Sequence, residues 1–249
     1  MKRWENKLAV VTGASSGIGG QIIQDLAKCK IRVVALSRRL ENMEDIRINL
    51  PEELRIYLIP IKCDITNEPE VQKIFDFIGR RHGGIDILIN CAGAFREGNL
   101  LSLEAKLVRE TIDTNLMSVV YCTREAFKSM QARNNVGHVI LMNCSCGQQV
   151  PNISKKSLNI YCPTKFALTA INNIYKQEFQ HLGTRVKITN ISPGPMNTTL
   201  MPAEYSKENS LMLKPEDVSN AVFFALSTPP KVQITNLVVT AFKTTESTE

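Results

Sequence analysis

Hydrophobic residues along the chain follow two spacings, short unbroken runs and longer stretches with helical period. The short runs have strand length and are LAVVT (8–12), VVALS (33–37), YLIPIKC (57–63), IDILIN (85–90), HVILMN (138–143), VKITNIS (186–192) and 237–240. Between them, apolar residues recur every three to four positions around 18–27, 71–78, 103–131 and 161–182. Strands that are apolar throughout are covered on both faces, as in a parallel sheet between helices. The pattern predicts an α/β, doubly wound parallel sheet with helices on both faces.

Three features modify this pattern locally. Pro60 in the third run predicts an irregular or edge-adjacent strand, and the long helical segment is predicted to bend near Asn115. Residues 195–213 lack a clean period and are predicted to be an irregular substrate loop. No internal repeat, linker or low-complexity tract interrupts the chain, so residues 1–249 are predicted to form a single domain.

Composition excludes several classes of protein. With 249 residues, 43% of them hydrophobic, the chain can bury one large core. No apolar run approaches the roughly 20 residues of a membrane span, and the short apolar run near the N-terminus continues into a glycine motif, unlike a signal peptide. A cytoplasmic protein is therefore predicted.

Charge and cysteine content narrow the chemistry further. The net charge of +6 comes from scattered lysines and arginines, and aromatic residues are only 6%, so nucleic-acid binding is not predicted. Seven cysteines, no C-x-x-C pair and three histidines argue against a metal site. Most of these cysteines lie in apolar runs, where a thiol behaves as a small hydrophobic group; Cys144 is the exception.

The stretch VVTGASSGIGG joins the first strand to the first helix. Its glycines, Gly13, Gly17 and Gly19, allow a sharp turn and a close approach to a pyrophosphate, which the N–H groups of the helix start would bind. The spacing differs from the general G-x-G-x-x-G, and a tight turn without a ligand is the alternative.

The end of the second strand bears on the choice of dinucleotide. An NAD site usually has an acidic residue here, whereas this chain has Ser37-Arg38-Arg39. A guanidinium can bind a 2′-phosphate, so NADP(H) is predicted in preference to NAD(H), with Arg38 as the ligand. The alternative, a solvated charged pair, fits Arg39 better than Arg38. Asp64, after the third strand, is predicted to hold the adenine edge.

YCPTK places Tyr161 and Lys165 four residues apart near a helix start, so both side chains share one face. An adjacent ammonium favours the phenolate, which predicts a lowered pKa for Tyr161 and a role as general acid or base. A plain surface Tyr–Lys pair is the alternative reading.

Six features of the chain together resemble the short-chain dehydrogenase/reductase family, in its order and spacing, over about residues 7–240. They are TGASSGIG, CDIT, NCAG (90–93), Asn115, YCPTK and PG (193–194). Three longer segments resemble the insect antennal and farnesol-dehydrogenase-like members of this family. They are RWENKLAVVTGAS, SLNIYCPTKFALTA and STPPKVQI. The resemblance implies a Rossmann-type fold and a tyrosine that transfers the substrate proton. It also implies a lysine that binds the nicotinamide ribose and an asparagine, Asn115, that holds a water.

The resemblance implies further cofactor contacts. They are Ser15, Ser16, Ile18, Arg39, Ile65, Asn90, Ala92, Gly93, Tyr161, Lys165, Pro193, Gly194 and Thr198. Cys91 stands where the family usually has a second asparagine. The family resemblance also implies a dimer or tetramer, formed through the helix that begins near Leu103 and the helix that carries Tyr161. The second helix has apolar residues beyond what a solvated face needs, namely Phe166, Ala170, Ile174 and Tyr175. The alternative is that these side chains face the sheet of their own subunit.

The stretch MNCSCG (142–147) holds the largest departure from the family. The family's catalytic serine lies three residues before a glycine, and counting back from Gly147 reaches Cys144. Ser145 could serve only if the strand slipped in register, because neighbouring residues face opposite sides of a strand. A thiol is a weak hydrogen-bonding group, so the expectation is slow turnover or none.

These observations predict an NADP(H)-dependent oxidoreductase acting on an apolar alcohol or carbonyl compound of terpenoid, retinoid or steroid type. The alternative is a dinucleotide-binding protein that has lost turnover, and a pure protein-interaction role has no feature of its own. Apolar residues of the irregular loop form either core or an adaptable substrate wall; they are Leu200, Met201, Leu211, Met212 and Leu213.

Overall fold

The computed structural model describes residues 1–152, 157–196, 200 and 212–242. Its centre is a parallel sheet of seven strands in the order β3-β2-β1-β4-β5-β6-β7. The strands are β1 (Leu8–Thr12), β2 (Arg32–Ser37), β3 (Leu58–Lys62), β4 (Ile87–Asn90), β5 (His138–Met142), β6 (Lys187–Pro193) and β7 (Asn236–Val239). The predicted α/β doubly wound fold is confirmed.

Helices cover both faces of this sheet. They are α1 (Gly17–Lys28), α2 (Leu40–Ile48), α3 (Glu68–His82), α4 (Ala105–Ile112), α5 (Ser118–Ala132), α6 (Tyr161–His181) and α7 (Pro215–Ser227). Side chains of β1 alternate between two cores, since Ala9 and Val11 pack with α1 and α7, whereas Leu8 and Val10 pack with α3, α5 and α6. Every residue of β1 is buried, which explains its unbroken apolar sequence.

The local predictions compare well with the structure, with two omissions. Pro60 lies in β3, the edge strand, where its missing N–H breaks no ladder. The predicted irregularity at Asn115 is a π-helical turn, Asp113–Met117, between α4 and α5. The sequence reading missed α2, whose only buried residue is Met43, and α7, whose apolar residues follow the irregular loop.

The order of the strands places the site. β1 and β4 are neighbours in the sheet although two strands separate them in sequence, and the connections from β1 and β4 leave toward opposite faces. In such sheets the crevice outside the carboxyl ends of the strands binds ligands. The loops after β1, β4 and β5 meet at this edge, and they carry the glycine motif, NCAG and Cys144.

Candidate active site

The loop after β1 leads directly into the N-terminus of α1. Gly13 has φ +65, and a Cβ on it would lie 2.6 Å from Cα of Ala92 in the loop after β4, so only glycine fits here. Ser16, the residue before α1, makes no capping bond with its side chain. The first N–H groups of α1, with the partial positive charge of the helix end, are therefore available to an anion.

A cavity of about 380 Å³ extends from this loop along the ends of β2, β3 and β4. Its lining includes many of the predicted cofactor residues: Gly13, Ser15, Ser16, Gly17, Ile18, Gly19, Arg38, Arg39, Asp64, Ile65, Ala92 and Gly93. Hydroxyls, guanidinium groups and an uncapped helix start are donors that suit phosphate groups, and Ile65 with Leu36 supplies an apolar side. The donor set therefore fits a dinucleotide carrying phosphates.

The two arginines after β2 differ in their contacts. Arg39 donates from Nε and Nη2 to Ser15 Oγ (3.2 and 2.9 Å) and from Nη2 to Ser16 Oγ (3.0 Å). The sequence alone did not indicate that the glycine loop brings two serine hydroxyls within reach of Arg39. Arg38 and Arg39 are both exposed, and both line the cavity.

Other predicted cofactor residues have structural partners as well. Asp64 Oδ1 accepts hydrogen bonds from the N–H and hydroxyl of Thr66 at 3.0 and 2.7 Å, which fixes the carboxylate at the cavity wall. Asn90 is buried and donates to Thr123 Oγ1 at 3.1 Å. Pro193 ends β6, Gly194 donates its N–H to the carbonyl of Val239 at 2.7 Å, and Thr198 lies outside the described residues.

The start of α6 brings three predicted catalytic groups together. The Tyr161 hydroxyl lies beside the Cys144 thiol, and each group affects the pKa of the other. Lys165 is buried, donates to the carbonyl of Met142 at 3.0 Å, and places Nζ 5.6 Å from the centre of the Tyr161 ring. Gly147 allows this approach, since a Cβ on it would lie 2.6 Å from the carbonyl oxygen of Lys165.

The turn after β5 explains why Cys144, and not Ser145, faces Tyr161. β5 ends at Met142, and Cys144 precedes a short 3₁₀ turn, Ser145–Gly147, as its extended N-cap residue. Its Sγ accepts the N–H of Cys146 at 3.4 Å. The structure thus places the thiol at the position that the count back from Gly147 indicated.

The ionisable groups of this cluster change one another's pKa. The pKa of the Cys144 thiol is lowered to about 6, first by the hydrogen bond from the Cys146 thiol and then by the Cys146 N–H, Lys165 and Tyr161, against the effect of burial. Burial lowers the pKa of Lys165. Burial, followed by the negative charge of Cys144, raises the pKa of Tyr161 well above its ordinary value. The predicted lowering by Lys165 is therefore wrong here, since burial and Cys144 outweigh the ammonium.

Asn115 connects this cluster to the loop after β4. Its side chain is buried, accepts the N–H of Ala94 at 2.7 Å, and donates to the carbonyl of Ala94 at 3.0 Å and to Thr164 Oγ1 at 3.1 Å. Thr164 in turn donates to the carbonyl of Tyr161 at 2.6 Å. Asn115 thereby holds the loop and the start of α6 in register, and π-helical turns of this kind are frequent at functional sites.

Sequence reasoning missed two residues next to the site. Phe95 lines the cavity and meets the Tyr161 ring edge to face, with centroids 5.6 Å apart and planes at 90°. Thr12 Oγ1 accepts the N–H groups of Cys91 and Ala92 at 3.1 and 3.2 Å and so shapes the loop after β4. Phe95 could have been predicted from the sequence, because this large aromatic residue directly follows NCAGA in the loop predicted to contact the cofactor.

Comparison with known proteins decides the family. A family model described as short chain dehydrogenase matches residues 7–209. The chain belongs to this family. A farnesol dehydrogenase of Aedes aegypti is 40% identical over 240 residues, which cover 96% of this chain and 97% of that protein. The predicted membership and the likeness to farnesol dehydrogenases are confirmed.

Two further relatives extend the comparison. Dehydrogenase/reductase SDR family member 11 of Homo sapiens is 36% identical over 245 residues, covering 94% of each chain. Among solved structures, the closed form of a serine dehydrogenase complexed with NADP⁺ is 26% identical, with a TM-score of 0.83 over 93% of this chain and 94% of that one. The family's fold and its oxidoreductase class therefore hold for this chain.

Two other kinds of feature are absent from the described residues, a membrane-spanning helix and a metal-binding cluster. No helix in ranges 1–152, 157–196 and 212–242 is both long and apolar enough to cross a bilayer. Within the same ranges, no group of three or more histidine, cysteine, aspartate or glutamate side chains is arranged to hold a metal ion.

Proposed function

We propose that the chain is an NADP(H)-dependent oxidoreductase that transfers hydride between the nicotinamide and an apolar alcohol or carbonyl compound of terpenoid, retinoid or steroid type. The observation that carries this proposal is the contact of the Tyr161 hydroxyl with the Cys144 thiol beside the buried Lys165. It joins a proton carrier, a polar group for a substrate oxygen and a cation at the end of the cavity that suits a dinucleotide.

The preference for NADP(H) rests on the cavity wall at the end of β2. Arg38 and Arg39 both line it, and the wall offers two guanidinium groups where an NAD site needs an acid. The solved serine dehydrogenase complexed with NADP⁺ supports this assignment. When bound, the cofactor supplies or accepts the hydride. The chain's contribution is to hold the phosphates at α1 and the adenine near Asp64, with the nicotinamide held near Gly93 and the end of β6.

Tyr161 and its neighbours manage the proton. The phenol would donate to the substrate oxygen during carbonyl reduction and accept from the hydroxyl during oxidation. The ammonium of Lys165, fixed by the carbonyl of Met142, opposes the rise in pKa that burial imposes on the phenol. Cys144 would donate its S–H to the same substrate oxygen, and Asn115 would position Tyr161 through Thr164.

An apolar substrate is supported by the side chains beside this cluster. Phe95 and Leu200 line the cavity, and the relative from Aedes aegypti is described as a farnesol dehydrogenase. Leu213 is buried in the core formed with α7, so it is core and not substrate wall. Met201 and Leu211 lie outside the described residues.

Turnover and cofactor binding must be measured separately to test the proposal. The purified chain is assayed with NADPH and NADH against farnesal, retinal and steroid ketones, and with NADP⁺ against the matching alcohols. We expect turnover with NADPH, weaker turnover with NADH, and a higher kcat/KM for long-chain alcohols than for propanol. Tyr161→Phe should abolish turnover and retain NADPH binding, measured by fluorescence titration. Preference for short polar substrates would contradict the assignment of substrate class.

One observation favours a second function, that of a dinucleotide-binding protein with impaired turnover. Cys144 replaces the family's serine, and its negative charge adds to the burial that raises the pKa of Tyr161. Absence of turnover across the whole panel, with intact NADPH binding, would establish this alternative. A cytoplasmic location belongs to either proposal and is tested by cell fractionation.

A further inference from the structure

Three cysteine thiols lie together at the substrate end of the candidate site. This thiol cluster consists of Cys144, which is partly exposed, and of Cys146 and Cys162, which are 4% and 2% exposed. The backbone N–H of Cys146 donates to Cys144 Sγ at 3.4 Å, and the side chain of Cys146 is close enough to those of Cys144 and Cys162 to affect the pKa of each. A serine at position 144 could not take part in thiol chemistry, so the cluster gives this chain a reactivity that a hydroxyl site lacks.

The surroundings of Cys144 stabilise a negative charge on its sulfur. Its Sγ accepts the backbone N–H of Cys146 at 3.4 Å, contacts the hydroxyl of Tyr161 and lies near the ammonium of Lys165. These donors come from two separate elements, the turn after β5 and the first turns of α6. They hold the pKa of Cys144 at about 6, and the thiolate is the form of cysteine that attacks electrophiles.

We propose that Cys144 is an oxidation site for hydroperoxides and that Cys146 completes the reaction as an intramolecular disulfide. In the first step the Cys144 thiolate attacks the terminal oxygen of the hydroperoxide, an S–O bond forms and the O–O bond breaks. The alkoxide or hydroxide that leaves takes up a proton, which gives an alcohol or water and a sulfenic acid on Cys144. The sulfur is oxidised by two electrons and the peroxide is reduced by two.

In the second step the sulfur of Cys146 attacks the sulfur of Cys144. An S–S bond forms, the S–O bond breaks, and the hydroxide combines with the proton of Cys146 and leaves as water. The net reaction converts two thiols and one hydroperoxide into a disulfide, an alcohol or water, and a further water. A dithiol reductant reduces the disulfide back to the two thiols and is itself oxidised to a disulfide.

Cys146 is suited to the second step because its raised pKa in the reduced state depends partly on Cys144. Its pKa is raised first by the hydrogen bond to Cys144, then by burial and by the negative charge of Cys144. Conversion of Cys144 to a neutral sulfenic acid removes the contributions of Cys144 to this raised pKa, so Cys146 loses its proton more readily. Cys162 also touches Cys146 but stands one contact further along the cluster, and its pKa is raised mainly by burial.

Oxidation would block the substrate position and spare the cofactor. Cys144 and Cys146 are absent from the described residues that line the dinucleotide cavity. The effect on turnover rests on the proposed function, whereas the chemistry of the two sulfurs does not. Loss of activity and formation of the disulfide are therefore measured as separate readouts.

The experiment exposes the fully reduced, purified chain to stoichiometric tert-butyl hydroperoxide at pH 7. Remaining thiols are then alkylated after unfolding, and the peptides are mapped by mass. Cys29 is the internal reference, because it is partly exposed and burial raises its pKa. The lowered pKa of Cys144 favours its thiolate, whereas the raised pKa of Cys29 disfavours the thiolate there, so Cys144 is expected to be oxidised first.

We expect the peptide that contains both Cys144 and Cys146 to lose the mass of two hydrogens, and dithiothreitol to restore it. Cys146→Ser should stop at the sulfenic acid, which dimedone traps on Cys144. Cys144→Ser should abolish both products and leave any turnover resistant to peroxide, while Cys29→Ser should behave as the unaltered chain. NADPH affinity should be unchanged by oxidation.

Three results would overturn the proposal. They are oxidation of Cys29 ahead of Cys144, a disulfide to Cys162 in place of Cys146, and peroxide inactivation that persists in Cys144→Ser. If no substrate is turned over but the Cys144–Cys146 disulfide forms, the proposed function fails and this inference stands. If turnover is observed and Cys144 resists peroxide, this inference fails alone.

Discussion

Substitution of Cys144 by serine tests the chemistry of the site most directly. Serine restores a hydroxyl that stays protonated throughout the neutral range, whereas the thiol of Cys144 has a pKa of about 6. The thiolate cannot donate to a substrate oxygen, and its charge raises the pKa of Tyr161. Serine is therefore expected to improve the chemical step on both counts, without touching the dinucleotide cavity.

The size of the gain follows from the fraction of Cys144 that carries a proton. Because the pKa of Cys144 is lowered, the S–H form is depleted at pH 7, so restoring the donor in every molecule is expected to raise kcat by about tenfold or more. Loss of a whole donor of this kind costs on the order of 10²–10³ in kcat, which sets the upper limit. The S–H form is present below the lowered pKa and lost above it, so the gain should shrink toward pH 5.5 and grow toward pH 8.

Steady-state kcat for carbonyl reduction with saturating NADPH is measured from pH 5.5 to 8 for the unaltered chain and for Cys144→Ser. Ser145→Ala serves as the matched control, because it removes a neighbouring hydroxyl and leaves Cys144, the N-cap residue of the turn, unchanged. The reasoning is refuted if Ser145→Ala removes most of the activity while Cys144→Ser gains nothing. A gain that is the same at every pH would show that the charge on Cys144 is not the cause.

Three further predictions concern the cofactor, the fold and assembly. Arg38→Ala should narrow the preference for NADPH over NADH in fluorescence titrations and leave the affinity for NADH nearly unchanged. Arg39→Ala should have the same effect if its guanidinium turns from Ser15 to a 2′-phosphate. Equal affinities of the unaltered chain for NADPH and NADH would contradict both predictions. Gly13→Ala should lower the free energy of unfolding, measured by urea denaturation, by about 3 kcal/mol, because the new Cβ overlaps the backbone of Ala92 at a left-handed φ. Gly83→Ala is the control, since its φ is +81 and its Cβ would have nothing within 4 Å. It should lower the free energy of unfolding by about 1 kcal/mol. Light scattering at micromolar concentration should give a mass of two or four chains, because Phe166 on α6 is 40% exposed; a mass near 27.9 kDa would contradict this.

Helical spacing on α6 shows what a pattern can and cannot predict about such a surface. Phe166, Ala170 and Ile174 recur at every fourth position and form one exposed stripe, as their spacing indicates. Tyr175, grouped with them by composition, turns toward the chain's own core and stacks against Phe179 with ring centroids 5.7 Å apart. Sequence alone could not separate the two cases, because one residue along a helix rotates the side chain by about 100°.

The strands were predictable because burial on both faces leaves an unbroken apolar run, and the predicted strands β1 to β7 match those found. α2 escaped because one buried methionine gives no period, and α7 because it follows a segment without clear pattern. α7 is held by contacts with a distant part of the chain, the helix α1. Asp25 on α1, for example, accepts a hydrogen bond from Ser219 on α7, a contact that local sequence does not encode.

In the candidate site, too, some features follow from the local spacing of residues in the sequence, and others only from the contacts that the folded chain makes between distant residues. The count back from Gly147 reaches Cys144 because β5 and its turn form a local unit, and the thiol indeed meets Tyr161. The charge on that thiol depends on groups that no local rule brings together, namely the N–H of Cys146, the buried ammonium of Lys165 and the phenol itself. A thiolate beside a phenol whose pKa is raised is a poor carbonyl site and a good site for attack on an electrophile. The exchange of oxygen for sulfur at one position therefore changes both the rate of hydride chemistry and the kind of chemistry that the site can undergo.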